Sequence, residues 1–414
     1  MRVAIFTGLY RYPASMEEPV VAGSLVGPFY LSRELAKLGS DVHVFGPGES
    51  GDAVHSTFNG VKIHRYIPTK LRSLPGFLVS DFERHKLFLK ESRKGKFEII
   101  QTQSPLFFEL RYAKRNKIPV VFTDHGSPIN CVIDLPPSWL GVVRRITTRF
   151  LSQPLYEFAC RNANKIVMIS KGLFRDSEKE LGFEVSNEKL ELIHNGVDTS
   201  HFSPRKVADL RNKIKYHENI LVYVGRISHE KGIHNVLKIL PKILDCYPST
   251  TFLIVGAPIS PFENYIEFLR KLIEKEKIQK HVIFHLNVKE RDLPRFYSLG
   301  DVQLIPSINY DPFPNAILEG MACGLPVIST DFEPRREIII DNETGFLFPE
   351  GDTAKLKNCI LSALSDKRKL KKMGRNSRKI MMEKYDITLT AKKYLKLYKN
   401  LIENDTTVKG VLNT

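Results

Sequence analysis

Tryptophan is nearly absent from this sequence: one residue, Trp139, in 414. Cysteine is scarce and scattered. The five cysteines (Cys131, Cys160, Cys246, Cys323 and Cys359) form no C-x-x-C pair and are odd in number. That speaks against a disulfide framework and against a cysteine zinc site. Free thiols in a reducing cytoplasm fit instead. No segment approaches the ~20 consecutive apolar residues of a membrane-spanning helix. The start, MRVAIFTGLYRYP, has a short apolar run broken by Gly8 and no small-residue cleavage site, so it reads as a first β-strand rather than a signal peptide. Acid is also in short supply: 46 Asp and Glu face 62 Lys and Arg, for a net charge of +16. Much of the excess is local, with 17 Lys and Arg against 8 Asp and Glu between Val61 and Cys160. A basic half attracts nucleic acid, anionic lipid or an anionic substrate. No zinc finger, RNA-recognition signature or basic-zipper pattern is present, so nucleic acid is not the expected partner.

What is there is the material of two globular domains. Hydrophobic residues make up 42% and charged residues 26%, and the length suits two domains rather than one. Short β-branched runs alternate with helical patterns. The first set of strands is VAIFTG (3–8), DVHVFG (41–46), VKIHRYI (61–67), FEIIQTQ (97–103), PVVFTDHG (119–126), KIVMIS (165–170) and KLELIHNG (189–196), with helices such as 24–38 and 143–161 between them. A second set is NILVYVGRI (219–227), TFLIVGA (251–257), HVIFHL (281–286), DVQLIPS (301–307) and PVIST (326–330). Continuous apolar strands with helical crossovers predict parallel sheets covered on both faces. The turn-rich stretch NGVDTSHFSPRK (195–206) separates the sets. The expected fold is therefore α/β, with two Rossmann-like, doubly wound domains facing a central cleft. Residues 1–200 form the first, and 201–385 the second. The C-terminal helix, 386–414, is expected to pack back on the first. Ligands of such sheets bind beyond the carboxyl ends of the strands.

Two stretches carry chemistry. In VYVGRISHEKGIHNVLKIL (222–240) a strand ends at Gly225, Arg226 follows, and Lys231-Gly232 open a helix. Glycine lets backbone approach a ligand, and a helix N-terminus offers free N–H groups and partial positive charge. With two full cations added, the stretch suits an anion, most naturally a diphosphate. His229 and His234 flank Lys231, but neutral imidazole is a weak anion ligand. In YDPFPNAILEGMACGLPVIST (310–330), Asp311 stands on the loop after one strand and Glu319 within the next helix, 315–323. A carboxylate accepts hydrogen bonds from two vicinal hydroxyls, so two carboxylates could hold two sugar rings of one ligand. The plainer alternative is two surface cations, a helix-start acid and an ordinary helix Glu. His43, His64 and His285 sit in strands and read as packed or edge residues.

Gly225-Arg226…Lys231-Gly232, followed by an acid, seven residues and Glu319 in ILEGMACGLPVI, resembles the retaining glycosyltransferase family 4 (glycosyl transferases group 1), whose fold is GT-B. The likeness extends to Gly23, to His125 in TDHG, to Asn195-Gly-Val-Asp198 and to Thr344-Gly345…Asp352. It implies that Arg226 and Lys231 bind the diphosphate of a nucleotide-sugar and stabilise it as it leaves. It implies that Glu319 holds the ribose hydroxyls, that Asp311 and His125 contact the donor sugar, and that Gly23 and Gly225 admit the phosphates. The catalytic set is then His125, Arg226, Lys231 and Asp311. Phe313 and Asn315 are the loop residues whose backbone N–H groups remain as donors. Asp311 replaces the family's glutamate, and Pro312 and Pro314 replace glycines, so the loop is stiffer and has fewer N–H groups. No metal and no resident cofactor are expected; magnesium would call for an aspartate pair that is not found. The expected reaction is retaining transfer of a hexose-type sugar from a UDP- or GDP-linked donor to a lipid-linked, glycan or small-molecule acceptor. The basic, aromatic stretches 69–90 and 136–158 suggest docking on an anionic membrane surface, on its cytoplasmic face. The alternatives are a sugar-nucleotide epimerase using Asp311 and Glu333, and a nucleotide-sugar-binding subunit without turnover.

Overall fold

The computed structural model describes residues 1–8, 11–18, 23–68, 74–126, 150, 153–181, 183–213, 218–258 and 263–411. The chain divides into two compact units. One holds Met1–Ser15, Ser24–Asn195 and Ile387–Thr414; the other holds Met16–Gly23 and Gly196–Asp386.

Among the described residues, the first unit is built on eight strands: β1 (Arg2–Phe6), β2 (Asp41–Pro47), β3 (His55–Phe58), β4 (Val61–Tyr66), β5 (Ile99–Thr102), β6 (Val120–Asp124), β7 (Lys165–Met168) and β8 (Leu190–Leu192). Their order across the sheet is β3-β4-β2-β1-β5-β6-β7-β8. β1 is buried from Val3 to Phe6, as a strand covered on both faces must be. Parallel pairing was expected throughout, and β3 corrects it. It runs antiparallel to β4, and Asn59 and Gly60 turn between them with φ of 49° and 79°. Positive φ at both central residues makes the tight hairpin turn whose twist suits the two strands. The helix Ile387–Val411 belongs to this unit: Tyr394 Oη lies 3.0 Å from Thr123 Oγ1, and the Thr390 hydroxyl donates to the His194 carbonyl at 3.2 Å. The helix expected over 143–161 begins, among the described residues, at Gln153 and ends at Asn162. Residues 69–73 and 136–149, Trp139 among them, lie outside the described residues.

Among the described residues, the second unit has six parallel strands: β9 (Asn219–Val224), β10 (Thr250–Gly256), β11 (Val282–Leu286), β12 (Val302–Ile305), β13 (Val327–Thr330) and β14 (Gly345–Phe348). Their order is β11-β10-β9-β12-β13-β14. The helices Ile233–Leu244, Glu263–Lys275 and Thr353–Ser365 bury Leu237, Leu240, Leu269 and Ile360 against it. The chain steps outward from β9 to β10 and β11, then crosses back to β12 and steps the other way. The carboxyl ends of β9 and β12 therefore flank the point where the winding reverses, and ligands of such sheets enter there. In the first unit the corresponding pair is β1 and β5.

Candidate functional site

The loops that follow β9 and β12 meet. After β9, Gly225 takes φ 151°, and a Cβ there would stand 3.1 Å from Tyr223 Oη. That hydroxyl donates to the Arg226 carbonyl at 2.5 Å and fixes the start of the loop. His229–Lys231 form one tight helical turn. Gly232 then adopts φ 67°, and a Cβ on it would lie 2.0 Å from the Pro306 carbonyl oxygen. Only glycine allows that approach, since the conformation and the space both reject a side chain. The Ile308 N–H donates to the Glu230 carbonyl at 2.9 Å and completes the seam.

This seam brings together residues 80 positions apart. Lys231 Nζ donates to Asp311 Oδ2 at 3.0 Å, with both side chains half-buried. Burial alone would raise the Asp311 carboxyl, but Lys231, then Arg335 and Arg226, outweigh it, and its pKa lies below the ordinary carboxylate value. Arg226 is more exposed, and its Nη2 lies 3.6 Å from Glu230 Oε1. Two expected cations and one expected acid thus share the end of β9 and β12. The acid meets a cation directly, a contact the sequence did not foretell.

Arg335 was also missed as a site residue. It follows β13 in Phe332-Glu-Pro-Arg-Arg, which reads as a surface turn, yet its side chain is fully buried. Its Nη1 donates to Ser329 Oγ at 3.0 Å and to the Thr330 carbonyl at 3.2 Å, and its guanidinium lies 4.7 Å from the centre of the Phe332 ring. Nε and Nη2 have no hydrogen-bond partner among the described residues. Burial pushes this guanidinium down to about 10, opposed by the Asp311 and Glu350 carboxylates, so it stays charged at neutral pH. It supplies a third positive charge to the field at Asp311.

Glu319 lies within the helix Asn315–Ala322 and is buried. The Tyr297 hydroxyl donates to its Oε2 at 2.7 Å. Burial, then the buried Glu290 carboxylate nearby, push Glu319 up to about 8; the Tyr297 hydroxyl pulls the other way. A carboxyl held near neutrality can gain or lose its proton when a ligand arrives. Phe313 is buried, with its ring 6.0 Å from that of Tyr385, and Asn315 opens the helix after Pro314. His234 is packed rather than facing a ligand. Its Nδ1 is 2.8 Å from Tyr265 Oη, and burial, then His229, push it down to about 4.

The remaining expected residues begin or lie in other elements. Gly23 is the first residue of the helix Gly23–Lys37 and falls in the second unit. His125 is in the first unit, at the end of β6, where Asp124 Oδ1 accepts from the Tyr156 hydroxyl at 2.7 Å and the Gly126 N–H at 3.0 Å. Gly27 joins His125 and Asn195. A Cβ on Gly27 would stand 3.2 Å from Asn195 Oδ1 and 3.8 Å from His125 Cε1. Gly27 was not singled out in the sequence, since it lies inside a helical pattern.

Comparison with known proteins follows the same division. The family described as "Glycosyl transferases group 1" matches residues 206–380, and "Glycosyltransferase Family 4" matches residues 26–201. Spore coat protein SA of Bacillus subtilis is 27% identical over 228 residues, which are 52% of this chain and 60% of that protein. The alpha-monoglucosyldiacylglycerol synthase of Acholeplasma laidlawii is 23% identical over 370 residues, 85% of this chain and 86% of that one. Among solved structures, sucrose-phosphate synthase of Thermosynechococcus elongatus superposes with a TM-score of 0.82 at 21% identity, covering 97% of this chain and 99% of that one. Its likeness shows the fold, GT-B.

Proposed function

Since the chain belongs to glycosyltransferase family 4 (the group 1 glycosyl transferases), we propose that it transfers a hexose-type sugar, with retention, from a UDP- or GDP-linked donor to a lipid-linked, glycan or small-molecule acceptor. The observation that carries this reading is the Lys231–Asp311 pair where the winding of the second sheet reverses, with Arg226 beside it. A nucleoside diphosphate placed there meets Arg226 and Lys231 at the oxygens that gain charge as the sugar departs. The bond from the anomeric carbon to the β-phosphate oxygen breaks, and its electron pair stays on the diphosphate. The acceptor oxygen forms the new bond on the same face, and its proton passes to a phosphate oxygen. Fixed cations aimed at developing charge are the largest single contribution a protein makes to such a step. Glu319 would take the ribose hydroxyls, and Asp311 those of the sugar.

The pair makes this testable. A diphosphate must share Lys231 with Asp311 or draw it away. The half-buried pair is worth about 1 kcal/mol. Asp311→Asn keeps the shape and removes the charge. Binding of free UDP or GDP is then expected to stay constant or tighten, by up to about fivefold. Transfer is expected to fall ~10²-fold, because the sugar contact is lost. Calorimetry and release of nucleoside diphosphate read the two quantities. Binding that falls in step with transfer would move Asp311 to the nucleotide.

A lipid-linked acceptor is supported by the basic first half of the chain. The helix Leu74–Lys94 exposes Val79 and Phe82, with Lys86 Nζ 4.6 Å from the Phe82 ring centre. Docking on an anionic membrane surface is expected to show as co-sedimentation with anionic vesicles at low salt, at ~1 kcal/mol per basic residue near the surface. Absence of binding under those conditions would remove the membrane from the account.

A further inference from the structure

The first unit buries a cluster that sugar transfer leaves unused: His43 on β2, His64 on β4 and Glu91 on the helix Leu74–Lys94. β2 and β4 are parallel neighbours with Phe45 opposite His64, so His43 and His64 share one face on a diagonal. His43 Nδ1 and His64 Nε2 face each other at 2.9 Å with the ring planes 12° apart. One ligand atom from each histidine and from Glu91 all lie within 4.8 Å of one another.

The outer ring nitrogens are held as a metal site would hold them. His43 Nε2 is 3.3 Å from Asp41 Oδ2, and His64 Nδ1 is 2.9 Å from His55 Nδ1. A neutral imidazole has one N–H. With that proton given to Asp41 by His43 and to His55 by His64, both inner nitrogens present lone pairs to each other. Two lone pairs at this distance repel, and a cation between them removes the conflict. Arg2 Nε also lies 3.3 Å from His43 Nε2, but it is 3.1 Å from Asp41 Oδ2, and the charge-assisted bond to the carboxylate is the stronger. Lys94 Nζ takes Glu91 Oε1 at 2.8 Å, and a carboxylate has a second oxygen to give. The shell is aromatic: Phe45 stacks on His64 with centroids 4.7 Å apart, and the Phe97 ring stands edge-on to His43 at 5.1 Å.

We propose that His43 Nδ1, His64 Nε2 and a Glu91 oxygen bind one divalent transition-metal ion, zinc by the nature of the ligand set, with a fourth position for water. Two nitrogens on tetrahedral zinc stand roughly 3.3 Å apart at Zn–N distances of ~2.0–2.1 Å, so the rings open by a few tenths of an ångström. Asp41 is then the carboxylate behind a ligating histidine, the usual outer partner of such a site. The ion ties β2 and β4 to the helix that covers them, a structural role in the unit that does not hold Lys231.

The test uses the full-length, tag-free protein, stripped with chelator and titrated with Co²⁺ and then Zn²⁺. One equivalent of cobalt is expected to give the visible bands of a four- or five-coordinate ion, and zinc to displace it. His64→Gln and Glu91→Gln are expected to abolish the bands. The more exposed Asp41→Asn keeps the ligands and is expected to weaken cobalt binding by ~10–100-fold. Zinc is expected to raise the Tm of the wild type but not of His64→Gln. Absence of bands in the wild type would overturn the proposal, as would bands that survive both ligand variants. The two histidines would then be joined by a proton, in a chain from Arg2 through His43 and His64 to His55.

Discussion

Lys231→Ala is expected to lower transfer by ~10²–10³-fold, the cost of removing one preorganised partner of a developing negative charge. The loss should fall on turnover more than on KM. In the free protein Lys231 faces Asp311 at 3.0 Å, so the gain from meeting phosphate is partly offset by the pair it gives up. As the sugar leaves, the diphosphate gains charge and the gain grows. The substitution has a second consequence. Asp311 loses the strongest of the cations that oppose its burial, so its carboxyl moves up and the loop loses an anchor. Release of nucleoside diphosphate, followed with saturating donor, measures the effect. Wild-type turnover in Lys231→Ala would mean that the phosphates lie elsewhere. Lys231→Arg keeps the charge and is expected to recover part of the rate. A purely structural role for Lys231 would leave both variants equally stable or unstable, with no split between turnover and KM.

Glu319→Gln is expected to change how stability depends on pH. Glu319 ordinarily titrates near 4.5 and in the folded protein near 8. Between these values the unfolded chain has released the proton and the folded chain has kept it. Stability from this group is therefore full below about pH 4.5 and falls as pH rises towards 8. The fall is of the order of a few kcal/mol at ~1.4 kcal/mol per unit. For a unit of this size it lowers Tm by about 5 °C or more. Glutamine cannot ionise, yet its carbonyl can still accept from the Tyr297 hydroxyl. The variant is expected to lose this part of the decline and to melt higher than the wild type at pH 8. Ligand binding should show the converse. Ribose hydroxyls donate to a carboxylate, so nucleotide binding favours the ionised form and releases a proton. Affinity for UDP or GDP is expected to rise with pH towards 8 in the wild type, beyond any rise that remains in Glu319→Gln. Thermal melts and calorimetry at pH 5.5, 7 and 8 check both. Parallel profiles for the two proteins would show that Glu319 does not hold a proton in this pH range.

Fold class was readable because β9, β10 and β12 are short apolar runs with helical patterns between them, a pattern with few solutions other than a covered parallel sheet. The hairpin was readable in part. Asn59-Gly60 is a turn signal, but β3 reads HSTF, too short and polar to stand out. The Lys231–Asp311 contact was not readable at all. Each residue could be placed at a strand end, but only the order β9-β12 makes those ends neighbours. Gly232 looked like a helix start and proves also to be the close approach that brings the two loops together. Arg335 sits in a charged stretch with one proline, Pro334, that predicts solvent, and its burial depends on the ends of β12 and β13, not on its own segment. His43, His55 and His64 stand on three strands, and only their register puts them on one face.

The central claim is that the seam between the β9 and β12 loops holds a nucleoside diphosphate. Calorimetric titration of the wild type and of Lys231→Ala with UDP, GDP and a small panel of their sugars tests it most directly. The account predicts that one base binds, that one of its sugars binds as well, and that the Lys231→Ala protein binds both measurably more weakly, by less than it loses in turnover. Equal affinity in the two proteins, or no binding of any of them to the wild type, would contradict it.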